Sequence, residues 1–170
     1  KGLNALRIAA DLIMHLPDGR ITPNTTTNWS IISAGSVTNV VCDLCTFTGE
    51  QRSTSNEEYA QNIKNIKDTV EEFAKKYNTP IEVKFEDQYK TFLTPENSDI
   101  AKIAVKAHEM AGLKPFFSKG GGGMDGNHFS AHGISVVGIA PGYSHNHTKD
   151  EQLILADFLK CAEVATDIVK

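Results

Sequence analysis

No stretch of this sequence runs apolar for the roughly 20 residues that a bilayer-spanning helix needs. No block of lysine and arginine offers a face to nucleic acid or to an anionic membrane either. The 17 basic and 21 acidic residues are mixed along the chain and leave a net charge of −4, which speaks against both partners. Cysteine is scarce and odd in number, three in 170 residues, so a disulfide framework is not expected. Two of the three stand in Cys42-Asp43-Leu44-Cys45, the spacing of half a zinc knuckle, but no second pair completes four ligands. The better reading is a pair of buried thiols on a strand, in a reducing cytoplasm. The start, KGLNALRIAADLIMHLPDGR, lacks the unbroken apolar core of a signal peptide. It also lacks an initiator methionine and opens on helical spacing with no capping residue ahead, the pattern expected of a fragment.

What the sequence does have is ordinary globular composition, 40% hydrophobic and 22% charged, enough for one domain or two small ones. Leu3, Leu6, Ala10, Ile13 and Leu16 recur at helical spacing until Pro17-Asp18-Gly19 signals a turn. Residues 28–33, 37–43 and 45–53 are rich in β-branched and aromatic side chains and predict an antiparallel meander. Ser55 to Glu58 reads as a capping box, the Ser55 hydroxyl accepting from the Glu58 amide while the Glu58 carboxylate reaches back. A helix follows, with Tyr59, Ile63, Ile66, Val70, Phe73 and Tyr77 as its apolar stripe. Residues 80–89 alternate, with Ile81, Val83 and Phe85 on one face, as a half-buried strand does. Residues 1–92 therefore predict a helix layer over an antiparallel sheet.

From residue 93 the pattern changes. A helix over 98–111 places Ile100, Ile103, Ala104 and Ala107 inward, and a short strand at 115–118 leads into the loop KGGGGMDGN. A short helix around His128 to His132, a strand at 134–140, the polar stretch HNHTKDE and a last helix from about Asp150 complete the chain. Val136, Val137 and Ile139 do not alternate with polar residues, which predicts a strand covered on both faces, as in α/β layers. Few strands are left to flank it, so this α/β part reads as lacking its other half.

Three constellations have the residue types for chemistry. His145 and His147 can both face one site if HNHTKDE is extended and only one of them does if it turns; H-x-H alone permits a metal without demanding one. Glu151, just behind, suits the first turn of the last helix, where its charge meets the helix dipole. The four glycines 120–123 let backbone amides approach a ligand, but Lys119 precedes them, so the order of a phosphate loop is missing. The loop is either a donor of amides to a carboxylate or peptide carbonyl, or a tight structural turn that Asp125 and Asn127 fix by hydrogen bonds to the backbone. Asn39 and Arg52 lie on neighbouring predicted strands and converge if those strands pair; the guanidinium fork suits a carboxylate, and pairing with Glu50 or Glu57 is the plainer alternative.

Taken in order, the motifs NALRIAADLI, GSVTNVVCD, TFTGEQRS, KGGGGMDGN and HTKDE resemble the C-terminal part of peptidase T-like enzymes. These belong to the superfamily of co-catalytic zinc exopeptidases that also holds aminoacylases and glutamate carboxypeptidases. The resemblance implies that residues 1–92 are the lid, a dimerisation domain of α+β fold, ferredoxin-like minus its first strand, with two helices on one face of an antiparallel sheet. Residues 93–170 are then the returning α/β end of the zinc-peptidase catalytic domain. It further implies that His147, four before Glu151, is the last zinc ligand, with His145 a neighbour. Asn39 and Arg52, at the family's spacing (52 − 39 = 13), become substrate-binding residues, the arginine on the substrate carboxylate and often at the partner subunit's active site. Gly121, Gly122 and Gly123 line the substrate pocket. Met124 departs from the commoner Ser or Thr, and residues 144–146 from the usual run before the ligand.

By this resemblance the chain is expected to be part of a two-zinc, cytoplasmic enzyme that cleaves small peptides, a tripeptide aminopeptidase in kind, and forms a homodimer through the lid. The family's H-x-D, bridging aspartate, Glu-Glu pair and further acidic ligand are not in this sequence, so the 170-residue chain alone is expected to be inactive, with no catalytic residue within it. The alternative is a non-enzymatic α+β module for dimerisation or small-molecule binding, with the glycine loop as its ligand site.

Overall fold

In the computed structural model residues 2–170 are described. The chain divides into two compact units, Lys1–Thr91 and Phe92–Lys170.

The first unit opens with helix α1, Ala5–Ile13, and it does carry a cap: the Asn4 side chain accepts from the Arg7 amide at 3.2 Å. Strands β1 (Gly19–Arg20), β2 (Thr25–Ala34) and β3 (Cys45–Ser53) form one antiparallel sheet in that order. The β2–β3 ladder runs from Thr25 opposite Ser53 to Ala34 opposite Cys45, with a shift in register between Trp29 and Ile31. The predicted strand at 37–43 is instead the connection between these two strands, with a turn at Thr38 and Asn39. Pairing explains the correction: β2 takes β3 as its ladder partner, and the β-branched residues between them have no neighbour on which to form a strand.

Helix α2, Asn56–Tyr77, is capped by Ser55, whose hydroxyl accepts from the Glu58 amide at 3.3 Å. The Glu58 carboxylate does not close the expected box. It accepts from Thr22, from Asn24 Nδ2 at 2.8 Å and from Thr25 Oγ1 at 2.9 Å, tying the start of α2 to the β1–β2 turn. The helix ends at Asn78 in the left-handed conformation, φ 46°, with the Thr79 amide returning to Ala74 O at 3.1 Å.

Both helices share one core with the sheet. Leu12 and Leu16 meet Ile66, Val70 and Phe73, with Trp29, Phe47, Tyr77 and Ile81 packed around them. Trp29 donates its indole N–H to Pro17 O at 2.9 Å and meets Phe47 edge-on at 5.5 Å. Beside this core Asn62 is buried, donating to Thr27 Oγ1 at 2.9 Å and to Gln51 Oε1 at 2.6 Å.

Residues 80–89 form no ladder, against the predicted strand. No strand among the described residues lies beside them to pair with. They run along α2, with Ile81 on the core, Phe85 beneath Lys67 at 5.3 Å and Asp87 accepting from the Tyr59 hydroxyl at 2.5 Å.

The second unit contains α3 (Asp99–Met110), α4 (Asp125–Ala131), the two-residue strands β4 (Tyr143–Ser144) and β5 (Gln152–Leu153), and α5 (Leu155–Ile168). Ala107 and Ala111 are buried against Val164, with Ile139 and Ile168 alongside, so α3 meets α5 through small side chains. Ile103, expected inward, is 49% exposed, because the buried stripe of α3 runs through Ala101, Ala104 and Ala107. Residues 115–118 and 134–140 form no strand, correcting both predictions. An apolar run becomes a central strand only when flanking strands take up its amides and carbonyls. Among the described residues none does.

Candidate metal and substrate site

HNHTKDE proves to be a hairpin loop. Its seven residues, 145–151, join β4 to β5, where Ser144 pairs with Gln152 and Tyr143 with Leu153. The base is fixed by Gly142, at φ 81°, where an added Cβ would lie 2.9 Å from the Asp157 carbonyl carbon. Inside the loop both histidines adopt the left-handed conformation, His145 at φ 56° and His147 at φ 63°. For a residue other than glycine this costs on the order of 1–3 kcal/mol, and it persists only when the surroundings hold it.

Two side chains do the holding. Thr148 Oγ1 donates to His145 O at 2.7 Å and accepts from the Asp150 amide at 3.2 Å. The Glu151 carboxylate accepts from the His147 amide at 2.6 Å, while the Glu151 amide donates to Thr148 O at 3.2 Å. Glu151 therefore lies ahead of α5, which starts at Leu155, and serves the loop instead of the helix dipole. His145 Nδ1 lies 3.3 Å from Ser144 Oγ. The His147 ring has no hydrogen-bond partner among the described residues and is exposed.

An exposed imidazole on a constrained loop suits a metal ligand. Among the described residues, however, no group of three His, Cys, Asp or Glu side chains comes together. Zinc takes at least three protein ligands, so the described residues form no complete centre around His147.

The glycine loop precedes α4. Asn127, buried, accepts from the Met124 amide at 2.9 Å and so fixes the loop as expected, whereas Asp125 has no such bond among the described residues. Met124 lies over Gly138, where a Cβ would sit 3.2 Å from its Cε, and a Cβ on Gly126 would be 2.7 Å from Val136 Cγ1. Gly126 has no room for a Cβ unless Val136 shifts, while at Gly138 the flexible end of Met124 would have to give by a few tenths of an ångström. Gly120, Gly121 and Gly122 are different: none has positive φ, and a Cβ on any of them would meet nothing within 4 Å. Nothing in the chain's own folding requires glycine at these three positions.

In the first unit Asn39 and Arg52 do not converge. Arg52 lies opposite Thr26, while Asn39 sits in the connection leaving the other end of the ladder, beyond Ala34 and Cys45. From Cys45 to Arg52 is seven residues of strand (52 − 45 = 7), about 23 Å at 3.3 Å per residue. The Arg52 guanidinium rests on Glu50, Nε to Oε1 at 2.8 Å, the plainer of the two partners considered for it, and this bond raises its pKa further. Cys42 and Cys45 are free and half-buried; burial, and then the neighbouring Cys42, push the Cys45 thiol up.

Residues 1–78 match the peptidase dimerisation domain. Across 99% of its length the chain is 33% identical to aminopeptidase PepT from Bacillus cereus, with a TM-score of 0.84, and 30% identical to a tripeptidase from Staphylococcus aureus, with a TM-score of 0.90. The chain is a peptidase T-like member of this peptidase family. As such it spans 45% of each of those two chains. The fold of this peptidase T-like chain extends to a more distant structure, the YXEP protein of Bacillus subtilis, a dinuclear metal-binding peptidase from the M20 family, at 16% identity and a TM-score of 0.73 over 98% of the chain.

Neither the hairpin nor Glu151's bond to an amide was anticipated from the sequence. The signal was Gly142 followed by Tyr143-Ser144 and, seven residues later, Gln152-Leu153, too short a pair of strands to register as periodicity.

Proposed function

We propose that the chain is the lid and the returning C-terminal part of a co-catalytic two-zinc exopeptidase that hydrolyses small peptides, tripeptides foremost, in the cytoplasm. The observation that carries this reading is the His147 loop: an exposed imidazole held on a hairpin by two side chains, in a chain that follows a tripeptidase at a TM-score of 0.90. The lid is the α+β unit of residues 1–92, ferredoxin-like minus its first strand, and residues 93–170 belong to the catalytic domain.

His147 is the one zinc ligand in this chain. Two zinc ions, when bound, supply Lewis-acid activation of the attacking water and of the scissile carbonyl. The chain's own residues bind and orient. Gly121, Gly122 and Gly123 are proposed to line the substrate pocket; Gly121 and Gly122 leave room beside the backbone for a peptide to approach. Arg52 offers its fork to the substrate carboxylate once Glu50 yields it; both side chains are exposed, so their pairing is weak.

Separation of Asn39 from Arg52 bears on the assembly. A tripeptide spans about 10 Å, less than half the length of strand between Arg52 and the turn that holds Asn39. A homodimer built through the peptidase dimerisation domain is the assembly proposed for these lid residues.

The test is metal content and tripeptide hydrolysis of the full-length protein and its His147→Ala variant. Near two zinc ions per chain, with metal and activity both falling on substitution, is the expected outcome. Unchanged metal content would overturn the assignment and favour the non-enzymatic dimerisation module.

A further inference from the structure

We propose that Glu151 is a positioning residue for His147: its carboxylate holds the His147 amide and so fixes the left-handed turn from which the imidazole projects. This rests on the reading of His147 as a metal ligand and adds to it the residue that sets its direction.

The geometry is specific. His147 stands at φ 63°, outside the two-residue ladder of β4 and β5, and Glu151 Oε2 meets its amide at 2.6 Å. A carboxylate accepting an amide proton is a charge-assisted bond, stronger than the neutral bonds elsewhere in the loop. Glu151 is itself anchored, its amide donating to Thr148 O, so its carboxylate returns to the same place. It forms no ion pair among the described residues, and α5 starts four residues later at Leu155, so neither of the usual roles of a surface glutamate applies.

Left-handed backbone sets where Cβ points. If the amide is released, His147 relaxes toward the extended region favoured by side chains with a Cβ, and the imidazole swings away from its direction. Groups that orient a ligand without touching the metal typically change metal affinity 10–100-fold when removed.

The experiment uses the full-length protein with Zn²⁺ as the only added probe. Amide hydrogen exchange at His147 is followed in metal-free protein, and zinc affinity is measured by competition with a chelator, for wild type, Glu151→Ala, Glu151→Gln, Glu151→Asp and His147→Ala. Glu151→Ala should speed exchange at His147 and weaken zinc binding at least about tenfold. Glu151→Gln keeps an acceptor at the same reach and should stay within about threefold of wild type, because the neutral bond is weaker but present. Glu151→Asp, one methylene short, should fall between, and it serves where the alanine variant does not fold. Unchanged exchange in the alanine or aspartate variant overturns the clamp, and so does faster exchange with unchanged zinc affinity. Unchanged zinc binding in His147→Ala instead overturns the ligand assignment, whatever Glu151 does to the amide.

Discussion

Single acidic side chains join the first unit's elements at three places, and each leaves a signature in pH. Glu58 accepts from Thr22, Asn24 and Thr25, which hold its carboxyl below the ordinary glutamate value of 4.5. Asp11 accepts from Lys76 at 2.7 Å and Tyr77 at 2.5 Å, the lysine first and the tyrosine second in holding its carboxyl below 3.8. Tyr59, bonded to Asp87, is pushed up to about 12 from 10.0, mainly by that hydrogen bond and then by burial. A depressed carboxylate stabilises the fold above its unfolded value, and that contribution disappears as pH falls through the folded value. A raised tyrosine does the reverse: its contribution is complete below 10.0 and disappears as pH climbs toward 12. The urea midpoint should therefore hold level in the neutral range, drop below about pH 4.5 and drop again above about pH 10. Glu58→Gln should lower the neutral plateau and flatten the acid limb; an acid limb as steep as wild type's would show that Glu58 does not contribute to it.

At the scale of elements the sheet turns on one contact. A Cβ at Gly49 would lie 2.4 Å from Trp29 Cε3 and 2.7 Å from Asn28 O, at the point where the β2–β3 register shifts. The indole lies across the space where Gly49 has no side chain, and the Asn28 carbonyl is backbone that has little room to move. Gly49→Ala should destabilise the first unit by about 1–3 kcal/mol, read from urea unfolding followed by Trp29 fluorescence. A loss below about 0.5 kcal/mol, the range of ordinary surface substitutions, would mean that the strand shifts freely. Elements with a local cause were legible in the sequence: α2 from its serine cap and apolar stripe, and β2 and β3 from their β-branched runs. Residues 80–89 and 134–140 had the right pattern but not the pairing, because a ladder depends on a distant neighbour that periodicity cannot supply. Asn4 was overlooked as a cap because the apolar pattern begins at Leu3, before it. His147 was singled out by its motif; its left-handed turn arises from Glu151 four residues on, a tertiary detail of a seven-residue loop.

For the molecule as a whole, the same missing ladders have a consequence for the 170-residue chain in isolation. Phe116 is 84% exposed and Ile134 54%, and the apolar run 134–140 has no ladder partner among the described residues. Apolar segments without a ladder partner recruit other copies edge to edge, and exposed apolar surface of this kind marks a place made to be covered. Relatives of this fold carry more than twice the length of chain, since these residues span 45% of theirs. The isolated chain should therefore bind a hydrophobic dye and sediment as a mixture of associated species, while the full-length protein should bind little dye and sediment as a single dimeric species through its dimerisation domain. Lys or Glu at Ile134, placed at the start of the run, should reduce association of the isolated chain by adding an edge charge. An isolated chain that sediments as one dye-silent species would show that its exposed apolar segments are self-sufficient, and the cover attributed to the rest of the full-length protein would then be unnecessary.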